Sequence, residues 1–325
     1  MAIATDLDTP DRAGADAGSD APPAGPPPEP VRAKRQPPWR NPWRRPWILE
    51  GFTWIYLIWS IVPIGIAVLF SFNAGKSQSV WQGFSTRWYW GDPLNSVFHN
   101  PELRGAVFQT IRLSVLTTLV AVPIGVAFAI GINRWRTRTA ATFNFVMVFS
   151  YVIPELIFAV AMFFLFTQLF TSIPLGTMAE VLGLVTWNFS WPALIVLARL
   201  VSIGPSYEEA AADLGASRLE AIRRVLLPML MPAVFASAVL VFASVVDDFV
   251  VVDLLSSTSN TQPMSVFIYS TTHGGNGGPA LNALATIMLV LSFVVATIGL
   301  VAYRWMTRGE RGASGQEAMT SIAGM

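Results

Sequence analysis

Six stretches of this chain are long and apolar enough to cross a lipid bilayer, at about 51–72, 106–132, 143–170, 180–200, 229–250 and 281–303. A hydrocarbon core is crossed by roughly 20 helical residues. Inside it every backbone polar group must be paired within the protein, so such runs become helices. Five of the six carry an internal proline: Pro63, Pro123, Pro154, Pro192 and Pro232. The backbone groups these prolines free need partners in a bundle or along a cavity, which favours a packed core over isolated anchors. The fourth run is the weakest, interrupted by Asn188, Ser190 and Pro192. Ala283, Ala285, Ala296 and Gly299 make the last run small enough for close helix approach. Only 13% of the 325 residues are charged, against about 25% in soluble domains. The expected fold class is therefore an all-α membrane protein with six transmembrane helices.

The flanks differ from this domain, which is expected to span 48–306. Residues 1–47 lack apolar periodicity and are rich in proline, as at Pro26-Pro27-Pro28. Such a stretch is expected to be disordered, because it cannot bury enough surface to offset the entropy of ordering. It then turns basic, with Arg32, Lys34, Arg35, Arg40, Arg44 and Arg45 among Trp39, Trp43 and Trp47. The apolar run that follows comes too late and is too long for a signal peptide, so it is expected to be an uncleaved first span. Residues 307–325 form a second tail. With both termini in the cytoplasm, 17 of the 21 Lys and Arg residues lie inside, as the positive-inside bias requires. The segment 205–228 then lies inside as well, while 73–105 and 251–279 are outer loops.

Several chemistries are set aside by composition. The chain has no cysteine, which removes disulfides, thiol catalysis and Cys-ligated metals. His99 and His273 are far apart and neither has a second ligand at helical spacing. A net charge of +1 gives no basic field for nucleic acid. Gly75-Lys76-Ser77 echoes the end of a P-loop without the preceding glycine or strand.

The most specific pattern lies between the fourth and fifth runs. Ser206 with Glu209, and Ser217 with Glu220, have the spacing of capping boxes that open two short helices. Gly215 suits the left-handed position that ends the first helix, and Pro228 marks the exit towards the membrane. Leu219, Ile222 and Leu226 fall on one face of the second helix. By itself this pattern fits either a docking element or an amphipathic hairpin on the inner membrane surface.

Glu209-Ala210-Ala211, then three residues, Gly215, nine residues and Val225-Leu226-Leu227-Pro228 resembles the EAA loop of ABC importer permeases. That family usually has isoleucine where Val225 stands. The resemblance covers about residues 50–306 and is closest to permease subunits of polyamine importers. It rests there on Trp81-Gln82-Gly83-Phe84, Thr86-Arg87-Trp88-Tyr89, Asp247-Asp248 before a valine-rich run, and Asn282-Ala283-Leu284-Ala285-Thr286. It implies a type I importer permease fold in a bacterial inner membrane, with a cytoplasmic coupling helix in the loop 205–228. Glu209, Ala210, Ala211, Gly215, Leu219, Ile222 and Pro228 would serve coupling to an ATPase. The implied partners are a second permease subunit, an ATPase dimer and an extracytoplasmic solute-binding protein. ATP and Mg would be used by the ATPase, with no cofactor on this chain and no catalysis by it.

Five residues are candidates for the solute path. Glu155 follows Pro154 about a dozen residues into the third run, which places it roughly 18 Å deep at 1.5 Å per residue. An ionisable group at such depth faces a partner or a watery route. Its alternative is a structural pairing with Arg112 of the second run. Polyamine permeases tend to have aspartate at this position. Asp247 and Asp248 end the fifth run, and neighbours on a helix point about 100° apart. Both line one opening only if the helix unwinds there. Trp88 and Tyr89 of the first outer loop offer faces for an ammonium group, or anchor the loop at the membrane interface. Tyr151 and Tyr269 are further candidates. Polyamines such as spermidine and putrescine fit these carboxylates; other solutes of the same importer class are amino acids, quaternary amines and ferric iron. An ion-coupled secondary transporter is the rival from another class, although such proteins often carry internal repeats, which are not evident here.

Overall fold

A computed structural model describes residues 47–77, 79–134, 138–257, 261–274 and 278–307. Of the tails expected at 1–47 and 307–325, residues 1–46 and 308–325 lie outside the described residues, as do Gly275-Asn276-Gly277. The chain divides into two units, ending at Tyr56 and beginning at Leu57. In the first, the described residues Trp47–Tyr56 are the opening turns of helix α1, Trp47–Ser71. Among the described residues all regular elements are helical apart from one isolated bridge between Asn73 and Phe84.

Among the described residues, five helical runs are long and apolar enough to cross a membrane: Trp47–Ser71, Pro101–Arg134, Thr177–Ile203, Arg218–Asp247 and Pro279–Met306. The third expected run is not a single helix. It divides into α3, Arg138–Val152, and α4, Glu155–Phe164, which continues as a π-helical turn to Leu169. Pro154 causes the break, since it lacks an N–H and disfavours helical backbone in the residue before it. Proline is tolerated elsewhere: Pro63, Pro123 and Pro232 sit inside α1, α2 (Pro101–Arg134) and α9 (Leu227–Asp247).

Helix α2, Pro101–Arg134, is the axis of the second unit and packs against α5 (Thr177–Asn188), α6 (Ser190–Ile203), α9 (Leu227–Asp247) and α11 (Met264–His273). A Cβ added at Gly125 would lie 2.6 Å from Pro192 Cγ and 2.7 Å from the Phe189 carbonyl oxygen, so α2 and α6 cross at backbone contact. Helix α12, Pro279–Met306, packs on α9. Gly299 faces Val239 there, whereas Ala296 is exposed. By contrast α1 buries only Ser71.

Between α6 and α9 the chain forms a hairpin. Helix α7 is Ser206–Asp213, and α8, Arg218–Ala221, runs through a π-helical turn at Ile222–Leu226 into α9. Two further short helices follow the end of α9: α10, Val250–Leu255, and α11. The loop between α1 and α2 is an ordered cap. Trp88, Tyr89, Val97 and Leu103 form with Met264, Phe267, Leu281 and Leu284 a second apolar core apart from the main bundle.

Candidate functional site

Two regions carry the residues singled out from the sequence. The first is a cavity of about 510 Å³. Glu155, Asp247 and Asp248 line it together, although the sequence separates Glu155 from the other two by the whole of four helices. Helix α9 ends at Asp247, and Asp248 adopts extended backbone at φ −62°, ψ 129°. That break allows two successive carboxyl groups to reach one space. Asp248 is buried and fixed, its Oδ1 accepting from the N–H groups of Val251 and Val252 at 3.2 and 3.4 Å, so it caps α10. Its carbonyl oxygen accepts from Ser265 Oγ at 2.6 Å. The Glu155 and Asp248 side chains are near neighbours in this cavity. Asp247 is exposed to the cavity.

Glu155 is also placed differently from a residue deep in a long helix. The Pro154 break puts it in the first turn of α4, where the helix N-terminus favours a negative charge. Arg112 is exposed and does not line the cavity, so the neighbour of Glu155 is Asp248 rather than the basic group of α2.

Aromatic rings complete the wall. Tyr151, Trp187, Trp191 and Phe249 line the cavity. Tyr151 meets Trp191 edge to face at 5.0 Å, and Trp187 leans on Phe158 at 5.1 Å. Tyr269 stacks beyond Phe249 at 4.7 Å. Ser190, buried and with no hydrogen-bond partner among the described residues, adds a hydroxyl. Trp187, Trp191 and Phe249 carried no signal of their own, since tryptophan and phenylalanine are common in apolar runs. Carboxylates with flanking ring faces suit an organic cation: the acids accept its N–H groups, and each ring adds about 0.5–2 kcal/mol of cation–π attraction.

Trp88 and Tyr89 do not share this site. They are 3% and 8% exposed, and their polar atoms are engaged. The Trp88 indole N–H donates to the Asn73 carbonyl at 2.6 Å, and the Tyr89 hydroxyl bonds Ser71 Oγ at 2.9 Å. The Arg87 guanidinium covers the Trp88 ring at 4.7 Å. With its face occupied and its edge buried, Trp88 works as a core residue of the cap between α1 and α2.

A further acid lies inside the bundle, at Glu180 of α5, fully buried. It sits at the margin of an apolar run, where an acid reads from sequence as an interfacial group.

The second region is the hairpin. Ser217 and Glu220 form the capping box that opens α8. Gly215 has φ +84°. The Gly215 N–H donates to the Ala212 carbonyl and the Ala216 N–H to that of Ala211, the pair of bonds that defines a Schellman ending. The box expected at Ser206 and Glu209 does not form. Pro205 occupies the cap position, its carbonyl receives the N–H groups of Glu208 and Glu209, and Ser206 is already helical. Glu208 pairs instead with Arg134 at the end of α2. Under the hairpin lies a cavity of about 550 Å³ lined by Arg134, Glu208, Glu209, Ala212, Arg218 and Ile222 among others. Of the apolar stripe, Leu226 is buried, Ile222 half-buried and Leu219 73% exposed, with Leu214 beside it 90% exposed. Ala210 is exposed, Ala211 buried and Pro228 exposed at the start of α9.

Residues 121–314 match the family model described as "Binding-protein-dependent transport system inner membrane component". The putrescine transport system permease protein PotI of Escherichia coli (strain K12) is 32% identical over 270 residues, 81% of this chain and 90% of that protein. The spermidine/putrescine transport system permease protein PotC of the same organism is 32% identical over 251 residues, 77% and 92% of the two chains. In the crystal structure of a bacterial ABC transporter involved in the import of the acidic polysaccharide alginate, one chain superposes with a TM-score of 0.61. It is 20% identical, covering 81% of this chain and 96% of that one. The likeness at that identity concerns the fold, which is that of ABC importer permeases.

Proposed function

The chain belongs to the family of binding-protein-dependent transport system inner membrane components, and we propose that it is the half-pore of an importer for polyamines such as putrescine and spermidine. It spans the inner membrane several times; α3 and α4 together make the third of six crossings, and both termini and the hairpin face the cytoplasm. A second permease subunit completes the pore, an ATPase dimer using ATP and Mg docks on the hairpins, and a periplasmic binding protein delivers the solute. The chain itself has no hydrolytic role.

The observation that carries the substrate class is the convergence of Glu155, Asp247 and Asp248 on one aromatic-walled cavity. A linear polyamine presents ammonium groups separated by methylenes, and this wall offers acceptors separated by ring faces. The names of the two E. coli relatives point the same way. On the hairpin, exposed Leu214 and Leu219 form the apolar contact for an ATPase groove. Gly215 sets the angle between α7 and α8, and Glu208 with Arg134 ties the hairpin to α2.

The test is uptake of labelled putrescine by cells carrying the complete importer, with Glu155→Gln and Asp247→Asn variants. A hydrogen bond to a charged group is worth about 1.5–3 kcal/mol, so each variant is expected to lose at least about tenfold in uptake at low solute concentration, with insertion unchanged. Unlabelled spermidine should compete and neutral amino acids should not. Full uptake by both variants would remove the acids from the path.

A further inference from the structure

Glu180 is an acid buried inside the bundle, and the solute path leaves it without a role. Its carboxyl group makes no ion pair among the described residues and is satisfied by neutral donors from two other elements. Gln109 Nε2 of α2 donates to Oε2 at 2.7 Å, and Ser256 Oγ, at the end of α10, donates to Oε1 at 2.8 Å. The same Gln109 amide donates to Thr177 Oγ1 at 2.9 Å. A backbone bond runs in parallel, from the Gly176 N–H to the Leu255 carbonyl at 2.8 Å. One turn further along α5, a Cβ at Gly183 would lie 2.5 Å from Leu255 Cδ1 and 3.2 Å from Val251 Cγ1. Helix α10 is thus pressed on α5 and bonded to it at its C-terminal end.

Its other end is Asp248. The carboxylate that faces Glu155 in the cavity is the one that caps α10 through Val251 and Val252. Helix α10 is six residues long, about 9 Å at 1.5 Å per residue. It is a short strut with a cavity acid at one end and the Glu180 carboxyl at the other. It also packs along α4, the helix that begins with Glu155.

We propose that Glu180 is a positioning residue for the solute site: through Ser256 it anchors α10 to α5 and α2, and so fixes where Asp248 stands relative to Glu155. This rests on the reading of the cavity as the solute path. The role belongs to hydrogen-bond acceptance, not to charge, because both donors are neutral. A glutamine in its place still accepts from Ser256, and Gln109 turns its amide to present an oxygen. A leucine strands both buried donors, and Ser256→Ala cuts the anchor to α10 alone while leaving the α2–α5 bond intact.

The natural chain has no cysteine, so a single Val250→Cys reports on the cavity it lines. In the assembled transporter in proteoliposomes, its reaction with a small water-soluble cationic thiol reagent is measured beside putrescine uptake. Ser256→Ala and Glu180→Leu are each expected to speed labelling about fivefold and to raise the KM for putrescine by a similar factor. Fivefold is equivalent to about 1 kcal/mol, the net worth of a typical hydrogen bond. The maximal rate should stay within about twofold for Ser256→Ala, and Glu180→Gln should match the parent in both readouts. Unchanged labelling in Ser256→Ala, or a Glu180→Gln variant as defective as Glu180→Leu, overturns the proposal. Altered labelling with unaltered KM instead keeps the anchor and refutes the cavity as the solute path.

Discussion

Replacing Gly215 by valine separates backbone conformation from contact at the hairpin. Gly215 has φ +84°, and a Cβ built there meets nothing within 4 Å. The cost of a side chain is therefore conformational and involves no clash. Placing an L-residue in the left-handed region costs roughly 1–2 kcal/mol, and a β-branched one stands at the upper end or beyond. A penalty of 1–2 kcal/mol shifts the ratio of the native hairpin angle to its alternatives by a factor of about 5–30. The two bonds of the Schellman ending, Gly215 to Ala212 and Ala216 to Ala211, are what that shift gives up. ATP hydrolysis and putrescine uptake are measured together in proteoliposomes holding the complete transporter. Uptake per ATP hydrolysed is expected to fall by about that factor in Gly215→Val. Gly215→Asn should retain most coupling, because asparagine tolerates the left-handed region. A valine variant with normal coupling, or an asparagine variant as damaged as valine, would refute the reasoning.

Two other perturbations test the packing and the outer cap. Gly125→Ala drives a methyl group into Pro192 and the Phe189 carbonyl, and overpacking of this kind costs roughly 1–3 kcal/mol. The thermal midpoint in detergent should fall, while Gly131→Ala, whose Cβ meets nothing within 4 Å, should leave it unchanged. In the loop between α1 and α2, the Arg87 guanidinium and then the N–H groups of Leu94 and Asn95 hold Asp92 below its usual value of 3.8, at about 2. Because the folded value is the lower one, Asp92 stabilises the loop above about pH 4, and this is lost as pH falls towards about 2. Hydrogen exchange at the Leu94 and Asn95 amides should accelerate across that window, and Asp92→Asn should abolish the pH dependence.

Much of the fold was legible because membrane burial demands long apolar runs. The capping box at Ser217 and the left-handed Gly215 were legible because both are local, requiring residues only three or four positions apart. The Ser206 box failed for a local reason too: Pro205 took the cap position, which leaves Ser206 inside the helix. The third apolar run was misread as one helix because hydrophobicity continues unbroken past Pro154 while the backbone does not. Glu155 stood out as an acid in an apolar run, yet its neighbour Asp248 is set by tertiary packing that no spacing encodes. For Trp88 and Tyr89 the residue type was plain and the direction was not. Their rings turn into the cap, against Phe72, Leu103 and Phe267. Glu180 was passed over for the same reason: its donors, Gln109 and Ser256, come from distant elements.

The proposed importer requires an ATPase that grips the hairpin from the cytoplasm. The most direct test is a single Leu219→Cys, at a side chain 73% exposed in a chain with no native cysteine, treated with a short thiol-to-amine cross-linker in membranes carrying the whole system. The expected product joins this chain to a nucleotide-hydrolysing subunit, with the yield changing when ATP is added. Labelling of that cysteine only by reagents applied from the periplasmic side, with no such product, would contradict the assignment.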